Sequence, residues 1–150
     1  MNGNASECRP DKVAAIFVYG TLKRGQCRES QWPVRPIGID PTWVLGKLYD
    51  RVDYPAMISG HDRVFGELWQ FPVETMPVVL RKLDQIEGTN QPGEPNLYVR
   101  ALVDVQDLSD QPLGQAYTYH YASDPCLDGF TPIEPTHKGQ GVAWPLNLRR

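Results

Sequence analysis

Cysteine is scarce in this chain and is placed for neither of its structural uses. Cys8, Cys27 and Cys126 are odd in number and far apart, which excludes a disulfide framework and a zinc pattern. Neither C-x-x-C nor H-E-x-x-H occurs, and His61, His120 and His137 lack ligand spacing, so no metal is expected. Long apolar runs are missing too, since nothing approaches the roughly 18 residues of a membrane-spanning helix. The opening stretch from Met1 to Lys12 is polar and carries no secretory signal. Positive charge is not in surplus. Lys and Arg number 15 against 18 Asp and Glu, a formal charge of −3 that does not attract phosphate backbones and argues against nucleic-acid partners. With no G-x-S-x-G, G-x-x-x-x-G-K-[ST] or G-x-G-x-x-G, serine-hydrolase, P-loop and dinucleotide chemistry lack support. Free thiols without an export signal point to a cytoplasmic protein.

What is present is a globular composition, 41% apolar and 22% charged, in 150 residues: one domain, large enough to bury a core without staples. Residues 1–12 read as a flexible polar tail and 13–150 as a single domain, with 123–150 a wandering Pro- and Gly-rich C-terminal extension. Short apolar or alternating runs predict strands over 13–19, 43–49, 54–58, 64–71, 97–105 and 115–122, the third ended by Ser59-Gly60. Gly46 inside the second marks a bulge or close packing. In 97–105, Leu97, Val99, Ala101, Val103 and Val105 share the apolar face, with Arg100 and Asp104 opposite. In 115–122, Tyr117, Tyr119 and Tyr121 share one side. One helix is predicted over 75–87, with Thr75 as N-cap, Pro77 in the first turn and Gly88 at C′. Strands outnumber helices and lie close in sequence, which gives an α+β fold with a largely antiparallel sheet able to curl into a barrel.

Two places carry chemistry. Met76, Val79, Leu80, Leu83 and Ile86 mark the buried face of the helix, and Glu87 falls on or beside that face in its last turn. Desolvation and the negative end of the helix dipole both raise a carboxyl pKa there, as a general acid or base requires. The alternative is a glutamate that swings out from a frayed helix end. The second place is Phe17-Val18-Tyr19-Gly20-Thr21-Leu22-Lys23-Arg24-Gly25, an apolar strand opening into a turn that could aim consecutive N–H groups at one anion. A plain β-turn with Lys23 and Arg24 solvated is the alternative. Cys27 follows this turn without a histidine placed to activate it, and His120 sits in the aromatic strand as a structural residue.

Five segments together resemble one family. Tyr19-Gly20-Thr21-Leu22 is similar to the Y-G-[ST]-L signature of the γ-glutamylcyclotransferase-like (AIG2-like) proteins. Leu83-Asp84-Gln85-Ile86-Glu87-Gly88 resembles their L-D-x-x-E-G segment, and Leu97-Tyr98-Val99-Arg100 their Y-x-R strand. Tyr54-Pro55-Ala56-Met57 and Val64-Phe65-Gly66-Glu67-Leu68-Trp69 resemble the Y-P-A and V-x-G-E-[LV] segments, all in order over residues 13–121. The resemblance implies a small, partly open, mixed but mainly antiparallel β-barrel flanked by helices. It implies an enzyme in which the α-amine of a γ-glutamyl amine or γ-glutamyl amino acid attacks the γ-carbonyl and releases 5-oxoproline. Its catalytic general acid/base falls on Glu87. Tyr19, Gly20, Thr21 and Leu22 hold the substrate's polar head, and Tyr98 lines the same cleft. Arg100 shares the Tyr98 face, where it pairs with Glu87 or Asp84 or supports the turn. No metal or organic cofactor is implied; the partner is a small molecule, with no nucleic acid and no membrane. The long Pro-rich segment 89–96 departs from the family pattern and leaves the amine half of the substrate open. A non-catalytic binding or interaction module with the same cleft is the rival reading, and a hydrolase or amidotransferase acting on a γ-glutamyl group is a third.

Overall fold

The computed structural model describes residues 13–135 and 141–145. The expected tail 1–12, Cys8 and His137 lie outside them. In chain order the described elements are β1 (Ala15–Val18), β2 (Gly38–Asp50), β3 (Ala56–Gln70), α1 (Met76–Glu87), β4 (Tyr98–Asp107), β5 (Pro112–Tyr121) and β6 (Thr131–Pro132). The sheet runs β3-β1-β5-β4-β2-β6, and β2 also pairs with β3 along most of its length, so β1 to β5 form a ring. Its ladders are antiparallel except β1–β5. Two seams are short: β1–β5 is paired at Ile16↔Tyr117, and β2–β4 at Thr42↔Asp107 and Trp43↔Gln106. The expected mixed, mainly antiparallel barrel is therefore present, closed through β2–β3. Among the described residues one α-helix flanks it, and the other helical pieces are 3-10 turns at Glu29–Gln31, Val73–Thr75 and Pro125–Asp128.

All four residues of β1 are buried, because both of its faces are covered. Phe17 joins Val44, Leu48, Met57, Val64, Val105 and Ala116 in one cluster. Ile16 and Val18 join Trp69, Phe71, Tyr98, Tyr119 and Tyr121 in a second, against Met76, Val79 and Leu83 of α1. The helix therefore buries the face that its 3.6-residue period marks. Thr75 stands at the N-cap position, but its hydroxyl donates backward to Pro72 O (2.7 Å) because a 3-10 turn precedes the helix.

Three expectations about the chain are corrected. The runs 54–58 and 64–71 belong to one strand, β3, whose register jumps from Gly46↔Asp62 to Lys47↔Ile58. Ser59, Gly60 and His61 bulge there, so the Ser59-Gly60 pair does not end the strand. A Cβ on Gly60 would lie 2.7 Å from the Gly46 carbonyl carbon, so the crossing needs glycine. The apolar face of β4 is buried at Val105, but Leu97 and Val99 at its other end are 43% and 36% exposed while Tyr98 is buried. The second cluster, including α1, covers the opposite face there. The C-terminal extension does not wander over its described part. Ile133, Val142 and Trp144 enter the first cluster, and Val142 exchanges backbone bonds with Arg63 O (2.8 Å) and the Phe65 N–H (2.9 Å).

Among the described residues, no helix is long and apolar enough to cross a membrane. Gly66 in β3 is packed hardest against β1: a Cβ there would meet Val18 O and lie 2.6 Å from Phe17 Cζ. Gly66→Ala is expected to destabilise the fold by about 1–3 kcal/mol, as overpacking a tight core does. Urea denaturation measures this, and an unchanged midpoint would mean that β1 and β3 separate without cost.

Candidate active site

The turn at the end of β1 is shaped by what lies behind it. A Cβ on Gly20 would fall 2.7 Å from Pro55 Cγ, so only glycine lets β1 run on past that proline. The loop then closes on itself: Lys23 N–H donates to Gly20 O (3.1 Å), Gln26 N–H to Lys23 O (3.0 Å) and Arg28 N–H to Thr21 O (2.8 Å). None of these turn bonds uses the N–H of Gly20, Thr21 or Leu22 as donor. Side chains clamp the loop from outside. Glu67 Oε1 accepts from Arg24 N–H (2.9 Å) and Trp69 Nε1 (3.1 Å), while Trp32 donates to Leu22 O (3.0 Å) and stacks on Trp69 at 4.3 Å. Lys23 Nζ donates to Trp144 O (2.5 Å), and burial lowers the Lys23 pKa against the opposing pull of Glu67. Of the two cations expected in solvent, Lys23 is drawn in against Trp144, whereas Arg24 stays exposed and pairs with Glu67.

The facing wall is the end of α1, and it is not frayed. Gly88 takes a left-handed conformation (φ 66°, ψ 41°), which stops the helix. Thr89 N–H returns to Asp84 O (2.8 Å), Leu97 N–H to Gly88 O (2.9 Å), and the Thr89 hydroxyl to Tyr98 O (2.6 Å). Glu87 is consequently held facing a cleft that the turn, Tyr54, Pro55, Leu97, Tyr98 and Arg28 also line. Part of its surface opens onto the cleft, yet protein crowds it closely enough for desolvation to dominate. That loss of water pushes its pKa up to about 7, with the Arg28 guanidinium pulling the other way.

Three tyrosine hydroxyls of the lining are committed to the frame. Tyr19 donates to Tyr119 O (2.6 Å), and burial, then the charge of Glu87, hold its pKa well above the ordinary value. Tyr98 donates to Pro55 O (2.7 Å), and burial raises its pKa likewise. Tyr119 donates to Asp84 Oδ1 (2.6 Å), and Arg100 Nη1 reaches both Asp84 oxygens at 3.2 and 3.1 Å.

The structure therefore brings Tyr19, Gly20, Thr21, Leu22, Tyr98 and Glu87 to one cleft. Arg100 stands outside it and pairs with Asp84, leaving Glu87 without it. Cys27 is exposed and His120 half-buried, and neither lines the cleft. Sequence spacing missed Arg28. It lies in no periodic element, and the bond from its own N–H to Thr21 O is what carries it over the turn. No group of three or more metal-ligating side chains occurs among the described residues.

The β-barrel ring and the cleft at the end of β1 agree with the resemblance read in the sequence. The family described as gamma-glutamyl cyclotransferase, AIG2-like, matches residues 16–137, and the chain belongs to it. A protein of Vibrio cholerae serotype O1, provisionally named a gamma-glutamylcyclotransferase, is 31% identical over 107 residues, 71% of this chain and 80% of that one. Among solved structures, an AIG2-like protein of Mus musculus superposes with a TM-score of 0.52 at 24% identity, covering 91% of this chain and 98% of its own. An uncharacterised protein of Pyrococcus horikoshii gives 0.52 at 24% identity over 80% and 85% of the two chains. These two show the fold.

The raised pKa of Glu87 has a consequence for stability. Its folded value, about 7, lies above the ordinary 4.5, so folding binds a proton between the two. The stabilisation is complete below about pH 4.5 and is lost as pH rises through 7. Glu87→Gln removes the titration, so its thermal stability is expected to gain on the wild type from pH 5 to pH 8, by about 1–3 kcal/mol. Parallel melting curves across that range would show that the carboxyl is not desolvated.

Proposed function

We propose that the cleft cyclises γ-glutamyl compounds, releasing 5-oxoproline and a free amine or amino acid. The observation that carries this reading is Glu87, a carboxyl with a pKa near neutrality across the cleft from a turn whose N–H groups at Gly20, Thr21 and Leu22 are not used by the turn itself. Those amides would receive the substrate's α-carboxylate, as a backbone nest receives an anion. Glu87 would take a proton from the neighbouring α-ammonium, and the freed nitrogen would attack the γ-carbonyl carbon. The new C–N bond closes a five-membered lactam as the old one breaks. Both protons lost by the α-nitrogen end on the departing nitrogen, one of them through Glu87, and no water, metal or cofactor enters the balance. The pinned walls of Tyr98 and Tyr19 keep amine and carbonyl at attack geometry, where much of the acceleration of a cyclisation originates. The free thiols Cys27 and Cys126 fit a cytoplasmic setting for this chemistry.

The test is a product assay by mass spectrometry on γ-glutamyl amines, γ-glutamyl dipeptides and glutathione. Wild type is expected to form 5-oxoproline, with kcat/KM rising through about pH 7 as Glu87 ionises. Glu87→Gln should stay folded and bind ligand while losing about 10²–10⁴-fold in turnover. Ligand-induced stabilisation without product from any substrate would replace this reading with a binding module.

A further inference from the structure

Arg28 has no assignment in this scheme. Of the residues lining the cleft, only Glu87 and Arg28 are charged. The neighbouring cations are engaged: Lys23 with Trp144 O, Arg24 with Glu67, Arg100 with Asp84. The Arg28 guanidinium has no ion pair or hydrogen bond among the described residues, although its backbone is fixed at both ends. Its N–H donates to Thr21 O (2.8 Å), and its carbonyl accepts from Gln31 N–H (3.0 Å). A guanidinium that feels the charge of Glu87 but makes no hydrogen bond or ion pair, half-buried in the cleft lining on a backbone held at both ends, can receive a planar anion. The glutamyl half of the substrate already has its partners: the amine goes to Glu87 and the carboxylate to the turn amides. A second anion can therefore come only from the departing half.

We infer that Arg28 selects substrates whose departing amine carries a carboxylate, so that the protein acts on γ-glutamyl amino acids in preference to γ-glutamyl amines. The inference rests on the cyclotransferase reading and narrows its substrate class. The rest of the lining agrees with it, because Tyr54, Pro55 and Leu97 of the same cleft offer apolar contact and no competing charge.

The experiment compares γ-glutamylalanine with γ-glutamylethylamine, which differ only in that carboxylate, using wild type, Arg28→Gln and Arg28→Lys. Wild type is expected to favour γ-glutamylalanine at least about tenfold in kcat/KM, the range of a charge-assisted bond. Arg28→Gln should reduce that ratio to within about threefold, mainly by raising KM for γ-glutamylalanine, and Arg28→Lys should fall between, since a point charge keeps attraction without the planar fork. The ratio, not either rate, is the readout, because losing the Arg28 charge also moves the Glu87 titration for both substrates alike. Equal rates on the two substrates in the wild type, or an undiminished preference in Arg28→Gln, would overturn the assignment of Arg28 while the cyclotransferase reading stands. If the wild type makes no 5-oxoproline from either compound, the reading itself fails and takes this inference with it.

Discussion

One carboxylate ties the end of helix α1 to the barrel wall, and the cleft depends on it. Asp84 receives Arg100 from β4 and the Tyr119 hydroxyl from β5. The carbonyl of the same Tyr119 receives the Tyr19 hydroxyl, so the contact extends to the last residue before the turn. A fully exposed Arg–Asp pair contributes little. This one is different because the Asp84 side chain is only 15% exposed and shares a second, neutral donor. Bonds of that kind are worth about 1.5–3 kcal/mol each, enough to fix which way the last helical turn faces.

With Asp84 saturated, Glu87 is the residue left over. The two stand three positions apart on one helix, yet Asp84 meets donors from two strands and Glu87 meets a cleft. Tyr19 and Tyr98 donate to backbone carbonyls, and burial moves their titration upward, away from neutrality. The wall thus contains several ionisable side chains, but Glu87 is the one lining residue among those described whose proton equilibrium burial brings near 7. The division of labour follows from which groups were given partners.

Much of this was legible in the chain itself. The helical period over Met76, Val79 and Leu83 placed Glu87 beside the buried face, and Gly88 marked where the helix stops. The β1 run and its following Gly20 located the turn. Elsewhere the information is not local. Leu97 and Val99 follow a perfect alternation, but the side covered depends on where α1 and its aromatic neighbours settle. Ser59-Gly60 reads as a stop because a turn and a bulge use the same residues; only the closeness of Gly46 distinguishes them. Ile133, Val142 and Trp144 are isolated apolar residues among prolines and glycines, so no period announces that they are anchors. Arg28 is positioned by a hydrogen bond inside an irregular loop, and no spacing rule reaches such a residue.

The barrel also dictates when its cleft can exist during synthesis. β1 is made early, but its parallel neighbour β5 lies about a hundred residues downstream: Thr118 donates to Phe17 O and Tyr19 to Tyr119 O across separations of 101 and 100 residues. Between those moments the chain carries an apolar strand with one side open, and the helix end that will face the turn lacks its Tyr119 anchor. Closing contacts of such range is slow, because most of the loop entropy is lost before they form. A nascent chain released before β5 has emerged would retain β1 and its turn, and would have no chamber in which to hold a substrate.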